Sequence, residues 1–196
     1  MTMLSDTQTR SKESESDFGF WLYLMSDAIL FGLIFATFVV MSPNLAGGPG
    51  GRDLFDLANL TLQTGLLLAS SLTIALAHHT AANGRSIAAT VFWMVLTALL
   101  GAGFLVLELR ELAQFVSAGA GPQRSGYLSA FFTLVGTHGL HVAAGLIWIG
   151  TLIVQFMLRP ASPAVLSRLA RLTLFWHFLD IVWIGVFSLV YLPELI

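Results

Sequence analysis

The chain has no cysteine. That excludes disulfides, thiolate-bound zinc, iron–sulfur ligation and cysteine nucleophiles. Charge is scarce too: 10% of the 196 residues are Asp, Glu, Lys or Arg, against about a quarter in an average soluble domain. The net charge is -2, and no basic stripe points to nucleic acid. There is also no phosphate-binding glycine loop, dinucleotide fingerprint or nucleophile–base pair, which argues against a self-contained enzyme.

What the chain does have is long apolar runs, with 56% of its residues hydrophobic. A hydrocarbon core of roughly 30 Å takes about twenty consecutive apolar residues to cross as a helix. Five windows qualify: Phe18–Met41, Leu57–Ala77, Ile87–Leu107, Tyr127–Leu158 and Leu172–Leu192. Helix breakers separate them: Pro43 and the run from Gly47 to Gly51, then Asn83 with Gly84, then Gly119 to Pro122, then Pro160 and Pro163. No window alternates with period two, so the pattern predicts an all-α, five-helix transmembrane bundle over residues 18–196. The Ser-, Thr- and Glu-rich residues 1–17 read as a polar, disordered tail. The first run is too long for a signal peptide, contains Asp27 and lacks a small-residue cleavage pattern.

Five spans place the termini on opposite sides of the membrane. Arg10, Lys12, Arg85, Arg159, Arg168 and Arg171 fall on the N-terminal side, and Arg52, Arg110 and Arg124 on the other. The excess predicts a cytoplasmic N-terminus and a periplasmic C-terminus. Small residues recur every fourth position at Ala28, Gly32 and Ala36, and again at Gly65, Ala69, Thr73 and Ala77. Such stripes predict close helix contacts in lipid.

Asp27, His138, His141, His177 and Asp180 lie inside these runs. An ionisable side chain at bilayer depth costs roughly 2.5–3.5 kcal/mol on insertion scales, so it faces protein or trapped water. Asp27 and Asp180 both fall roughly 12–14 Å from the N-terminal-side boundary at 1.5 Å per residue. With His177 they are expected to form one buried polar cluster. His138 and His141 are three apart and predicted to tie the fourth helix to its neighbours, with Gly136, Gly139 and Gly145 allowing close approach. Glu108 and Glu111, also three apart, are expected at the outer boundary of the third span. From residue types alone four readings stay open: a metal site, a haem held by paired histidines, a proton or ion relay, and plain hydrogen bonding between helices.

The same stretches carry a resemblance. SGYLSAFFTLVGTHGLHVAAG (Ser125–Gly145) and LFWHFLDIVWIGVFSLVYL (Leu174–Leu192) resemble subunit III of the haem–copper oxidases. FGFWLYLMSDAILFGLIFATF (Phe18–Phe38) and GAGFLVLELREL (Gly101–Leu112) match that family in the same order. Five spans resemble its quinol-oxidase branch, and FGFWLYLMSD and GPQRSGYLSAFF are similar to the bacterial bo-type ubiquinol oxidases. The resemblance implies an accessory subunit of a proton-pumping respiratory complex in a bacterial inner membrane. It implies no catalytic, cofactor-binding or metal residue in this chain: haem and copper would reside in subunit I, the main contact, with subunits II and IV nearby.

Bound phospholipid, support of proton uptake and protection of the catalytic subunit are implied in the same way, and no nucleic acid is. The buried histidines and Asp180 match positions that pack the helix bundle. Asp27 matches a position where the cytochrome c branch carries a carbodiimide-reactive glutamate; the aspartate here is shorter. Glu111 matches the acidic residue ending the third motif, and Glu108 stands where Gln is frequent. The competing readings are subunit III of a cytochrome c oxidase and an independent proton-coupled transporter or membrane cytochrome.

Overall fold

A computed structural model describes residues 2–84, 86–158 and 162–195. Arg85, Arg159 and Pro160 lie outside the described residues, as do the side chains of Arg10 and Lys12. The elements are α1 (Thr2–Met41), a short α2 (Gly51–Leu54), α3 (Leu57–Ala82), α4 (Ile87–Ser117), α5 (Gly126–Leu158) and α6 (Pro163–Val186). A π-helical turn (Phe187–Tyr191) and a short α7 (Leu192–Leu195) continue from α6. Five of these helices are long and apolar enough to cross a membrane.

Local chemistry sets the ends. Asp56 caps α3 by accepting from the Ala58 N–H at 3.0 Å. Ser162 caps α6, with Pro163 in the first turn where its missing N–H is no loss. At the end of α4 the Ala120 N–H returns to Phe115 O (2.8 Å) and the Gly119 N–H to Val116 O (3.1 Å). Gly119 has φ +77°, the left-handed conformation this C-terminal motif requires.

Two boundaries differ from the hydropathy windows. The backbone is helical from Thr2, through residues expected as a tail; residues 2–17 contain no proline or glycine to stop a helix. And α4 runs ten residues past Leu107, through Glu108, Arg110 and Glu111. Hydropathy ends at the first charges, whereas the helix continues because two of those charges face protein.

Helices α3, α4, α5 and α6 form a closed ring: α3 packs on α4, α4 on α5, α5 on α6, and α6 back on α3. Helix α1 lies outside the ring against α5 and α6. Trp176 of α6 fills the centre and is 1% exposed. A Cβ on Gly101 of α4 or Gly145 of α5 would come within 2.8 Å of its ring, so both glycines open the slot it occupies. Its Nε1 donates to Ser70 Oγ on α3 (2.9 Å). One α6 side chain thus touches the other three ring helices. Two turns later Trp183 donates to Thr64 Oγ1 (3.1 Å) and stands edge-on to Phe104 at 4.7 Å between centroids.

The α3–α4 pair is joined by hydroxyl contacts between Thr73 and Thr97 (2.8 Å) and between Thr80 and Thr90 (3.2 Å). In lipid such interhelical hydrogen bonds contribute about 0.6 kcal/mol on average. Helix α1 buries Leu24, Phe31 and Phe38, spaced seven apart along one narrow face. Its Ala28-Gly32-Ala36 stripe points away: all three are exposed, and nothing lies within 4 Å of a Cβ on Gly32. Gly65 and Gly136 are equally open. Within this chain the expected close contacts form at Thr73 and Ala77, and at Gly139 and Gly145, but not along the first stripe. An apolar exterior carries no desolvation penalty in a membrane, so burial there follows shape rather than polarity.

Candidate functional site

Apart from His138, the residues singled out by the sequence separate into three polar clusters at the helix contacts. The first joins α1 to α5. His141 Nε2 lies 3.5 Å from Asp27 Oδ2, with side chains 16% and 13% exposed. His141 Nδ1 is 2.8 Å from Thr137 O, one turn earlier. A carbonyl only accepts, so Nδ1 carries the hydrogen. The ring is further fixed by Phe31 at 5.2 Å between centroids.

The second cluster joins α6 to α3. His177 Nδ1 and Ser71 Oγ are 2.6 Å apart, and the Ser71 hydroxyl also interacts with the Asp180 carboxyl. Asp180 is 7% exposed, and its Oδ1 makes no hydrogen bond to a described residue.

The expected union of Asp27, His177 and Asp180 is therefore split. Asp27 finds His141 on α5, while His177 and Asp180 turn to Ser71 on α3. Counting residues from a boundary sets the height of a side chain, but its direction around the helix axis is set by packing. His138 and His141 diverge for a related reason. Three residues turn a helix by about 300°, leaving roughly 60° between the two side chains. His141 faces α1, whereas His138 is fully buried against Phe104 of α4 and Trp183 of α6.

The third cluster corrects the placement of the glutamates at the boundary. Glu108 is 2% and Glu111 6% exposed. Glu111 Oε2 accepts from Gln63 Nε2 at 2.7 Å and from Asn59 Nδ2 at 3.3 Å, both on α3. Arg110, between them in sequence, is exposed. The glutamates point into the ring because α4 continues beyond them, so neither sits at a helix end.

Asn59, Gln63, Ser70 and Ser71 were not among the expected site residues. Gln63 had a readable signal, an amide inside an apolar run, and it is fully buried. The serines had none, because a hydroxyl bonded to its own helix is unremarked in any membrane span. Among the described residues, no three His, Asp or Glu side chains converge as a metal site requires.

The fold and these clusters now meet the known proteins. The family model for cytochrome c oxidase subunit III matches residues 2–194. The chain belongs to that family. Cytochrome bo(3) ubiquinol oxidase subunit 3 of Pseudomonas putida is 49% identical over 174 residues, covering 89% of this chain and 84% of that protein. Quinol oxidase subunit 3 of Bacillus subtilis (strain 168) is 41% identical over 177 residues, 90% and 86% of the two chains. Cytochrome c oxidase subunit 3 of Bacillus sp. (strain PS3) is 40% identical over 178 residues, 91% and 86%.

As a subunit III family member, the chain is a multi-pass membrane protein whose partners are other subunits of a terminal oxidase complex. For the Asp27–His141 pair this fixes the setting as a membrane interior. There a pair that is neutral overall is far cheaper than either group ionised alone. With the hydrogen on Nδ1, a neutral His141 turns the Nε2 lone pair toward a carboxylate.

Proposed function

We propose that this chain is the accessory subunit III of a proton-pumping quinol oxidase in a bacterial inner membrane. The complex passes electrons from ubiquinol to oxygen and moves protons outward. This chain contributes no haem, copper or quinol chemistry. It packs on subunit I, beside subunits II and IV, and holds phospholipid against its apolar exterior. Its N-terminus is cytoplasmic and its C-terminus periplasmic.

The observation that carries this reading is the 49% identity to a ubiquinol oxidase subunit 3 over 89% of the chain. The polar residues support it. Five interhelical contacts, Ser71–His177, Trp176–Ser70, Trp183–Thr64, Gln63–Glu111 and Asp27–His141, use polar groups to register helices. Groups engaged in this way hold the ring in shape for a partner.

In the proposed orientation Asp27, His177 and Asp180 lie in the cytoplasmic half. There the Asp27–His141 contact holds α1 on α5, keeping that face in shape for a neighbouring subunit that takes up protons. The catalytic steps remain with that neighbour.

The test is purification of the tagged chain in mild detergent, with a reduced-minus-oxidised spectrum before and after partners are stripped away. Haem signal that leaves with a large partner supports the accessory role. Haem retained by the stripped chain would make His138, His141 or His177 a ligand and end the proposal. The Bacillus sp. (strain PS3) relative favours a second reading, subunit III of a cytochrome c oxidase. Oxygen uptake by the purified complex with ubiquinol or with reduced cytochrome c as donor separates the two.

A further inference from the structure

Among the described residues, eight buried side-chain nitrogen or oxygen atoms make no hydrogen bond to protein. Five belong to Glu108, His138 and Gln63, namely both carboxyl oxygens, both ring nitrogens and the amide oxygen. All three residues are at most 2% exposed. Native proteins pair their buried polar groups with protein or with ordered water, so this concentration calls for a partner.

The three residues share one region of the ring. A Cβ on Gly139 would lie 3.1 Å from Glu108 Oε1 and 3.4 Å from Oε2. The carboxyl therefore rests on the α5 backbone one residue from His138, in space that only glycine leaves. Phe104, one turn before Glu108 on α4, stands edge-on to the His138 ring at 5.7 Å. Glu108 and His138 are thus adjacent without touching. Polar groups that face each other across more than hydrogen-bonding distance are bridged by water where there is room. Gln63 belongs to the same region through its 2.7 Å bond to Glu111, one turn from Glu108.

The region also has a way out. Glu111 and Asn59 line an open cleft of about 320 Å³, together with Asp56, Arg110 and Gln114, at the end of the bundle where α3 begins. Glu111 stands between this cleft and Glu108.

We propose that Glu108, His138 and Gln63 enclose internal water, and that this water exchanges protons with the aqueous phase through the cleft, by way of Glu111. Glu108 is the carboxylic acid there and His138 the neutral imidazole, since among the described residues no Lys or Arg pairs with the Glu108 carboxyl. The acid hydrogen and the His138 ring give the water both a donor and an acceptor. The groups around Glu108 and His138 are Gln63 from α3, Glu111 from α4 and Trp183 from α6. Arg110 is exposed at the cleft, Tyr191 of the π-helical turn is buried facing Glu108 and Glu111, and Tyr127 is buried beside it. The role is a proton-exchanging water site beyond the packing function of the subunit, and it holds whichever electron donor the complex uses.

The experiment is infrared spectroscopy of the intact oxidase complex transferred from H₂O to D₂O. We expect a protonated-carboxyl carbonyl band that disappears in Glu108→Gln and shifts in D₂O. Gln114→Trp, at the exposed cleft wall, is expected to slow that shift several-fold. An unchanged band in Glu108→Gln would show Glu108 ionised and overturn the proposal. So would a band that never shifts, or a shift whose rate Gln114→Trp leaves unaltered. Should Glu108→Gln fail to assemble, a high-resolution map of the unmodified complex decides: water density between Glu108 and His138 supports the site, and its absence removes it.

Discussion

His141 Nε2 stands 3.5 Å from Asp27 Oδ2 while its Nδ1 donates to Thr137 O at 2.8 Å. The Thr137 contact places the hydrogen on Nδ1 and leaves Nε2 as the ring nitrogen that faces the carboxyl. Asp27 Oδ2 makes no hydrogen bond to a described residue, and Tyr23, one turn earlier, also engages the Asp27 carboxyl, so the His141 contact is one part of a polar group joining α1 to α5.

Asp27→Asn is expected to preserve assembly, because the amide can donate to Nε2 of a neutral His141. Proton-to-electron stoichiometry in proteoliposomes should then stay at the wild-type value, and a clear fall would assign Asp27 a direct part in pumping. Asp27→Leu leaves Nε2 facing an apolar side chain and should destabilise the α1–α5 contact by about 1–3 kcal/mol. Loss of this chain from the complex on heating, compared between the two variants, reads the difference.

The ring depends on the slot around Trp176. Trp176→Ala should cost about 3–5 kcal/mol, the range for deleting a large buried aromatic. Gly145→Val drives a side chain into the indole, at about 1–3 kcal/mol for overpacking. Trp176→Phe keeps most of the packing and removes only the bond to Ser70, at about 1 kcal/mol. The midpoint of thermal dissociation from the oxidase should rank the three in that order of damage, with Trp176→Phe the mildest.

Ser71 and His177 tie α3 to α6 at 2.6 Å. A double-mutant cycle with Ser71→Ala and His177→Leu is expected to give a coupling of about 0.6 kcal/mol, up to roughly 1.7. A coupling near zero would mean that the contact is incidental and that Trp176 alone holds these helices in register.

The excess of Arg and Lys on the N-terminal side predicts its cytoplasmic location. Alkaline phosphatase fused after Glu194 should be active in intact cells, and the same enzyme fused after Asn83 inactive. The reverse pattern would invert the bundle and place the Glu111 cleft on the cytoplasmic side.

Much of this architecture can be read along the chain. Five spans follow from apolar run length, because a membrane helix satisfies its backbone within itself and is stabilised by its own composition. Gly119 to Pro122 mark the break after α4, but hydropathy alone ends that span at Leu107, ten residues before the helix ends at Ser117. The motifs around His138 and His177 already resembled subunit III, and that resemblance led to the right family. Identity along a family is written residue by residue and needs no folded partner.

Other features appear only when the helices are set side by side. Glu108 and Glu111 look like boundary charges until α4 is seen to continue past them and Gly139 to make room for a carboxyl. Asp27 and Asp180 share a height, yet one meets His141 and the other Ser71. Sequence spacing gives a side chain its depth and its angle relative to its own helix. The order of helices around the ring and the rotation of each come from how bulky residues such as Trp176 find slots beside Gly101 and Gly145. Those contacts join residues far apart in the chain, so the choice of partner for each buried polar group belongs to the packed bundle.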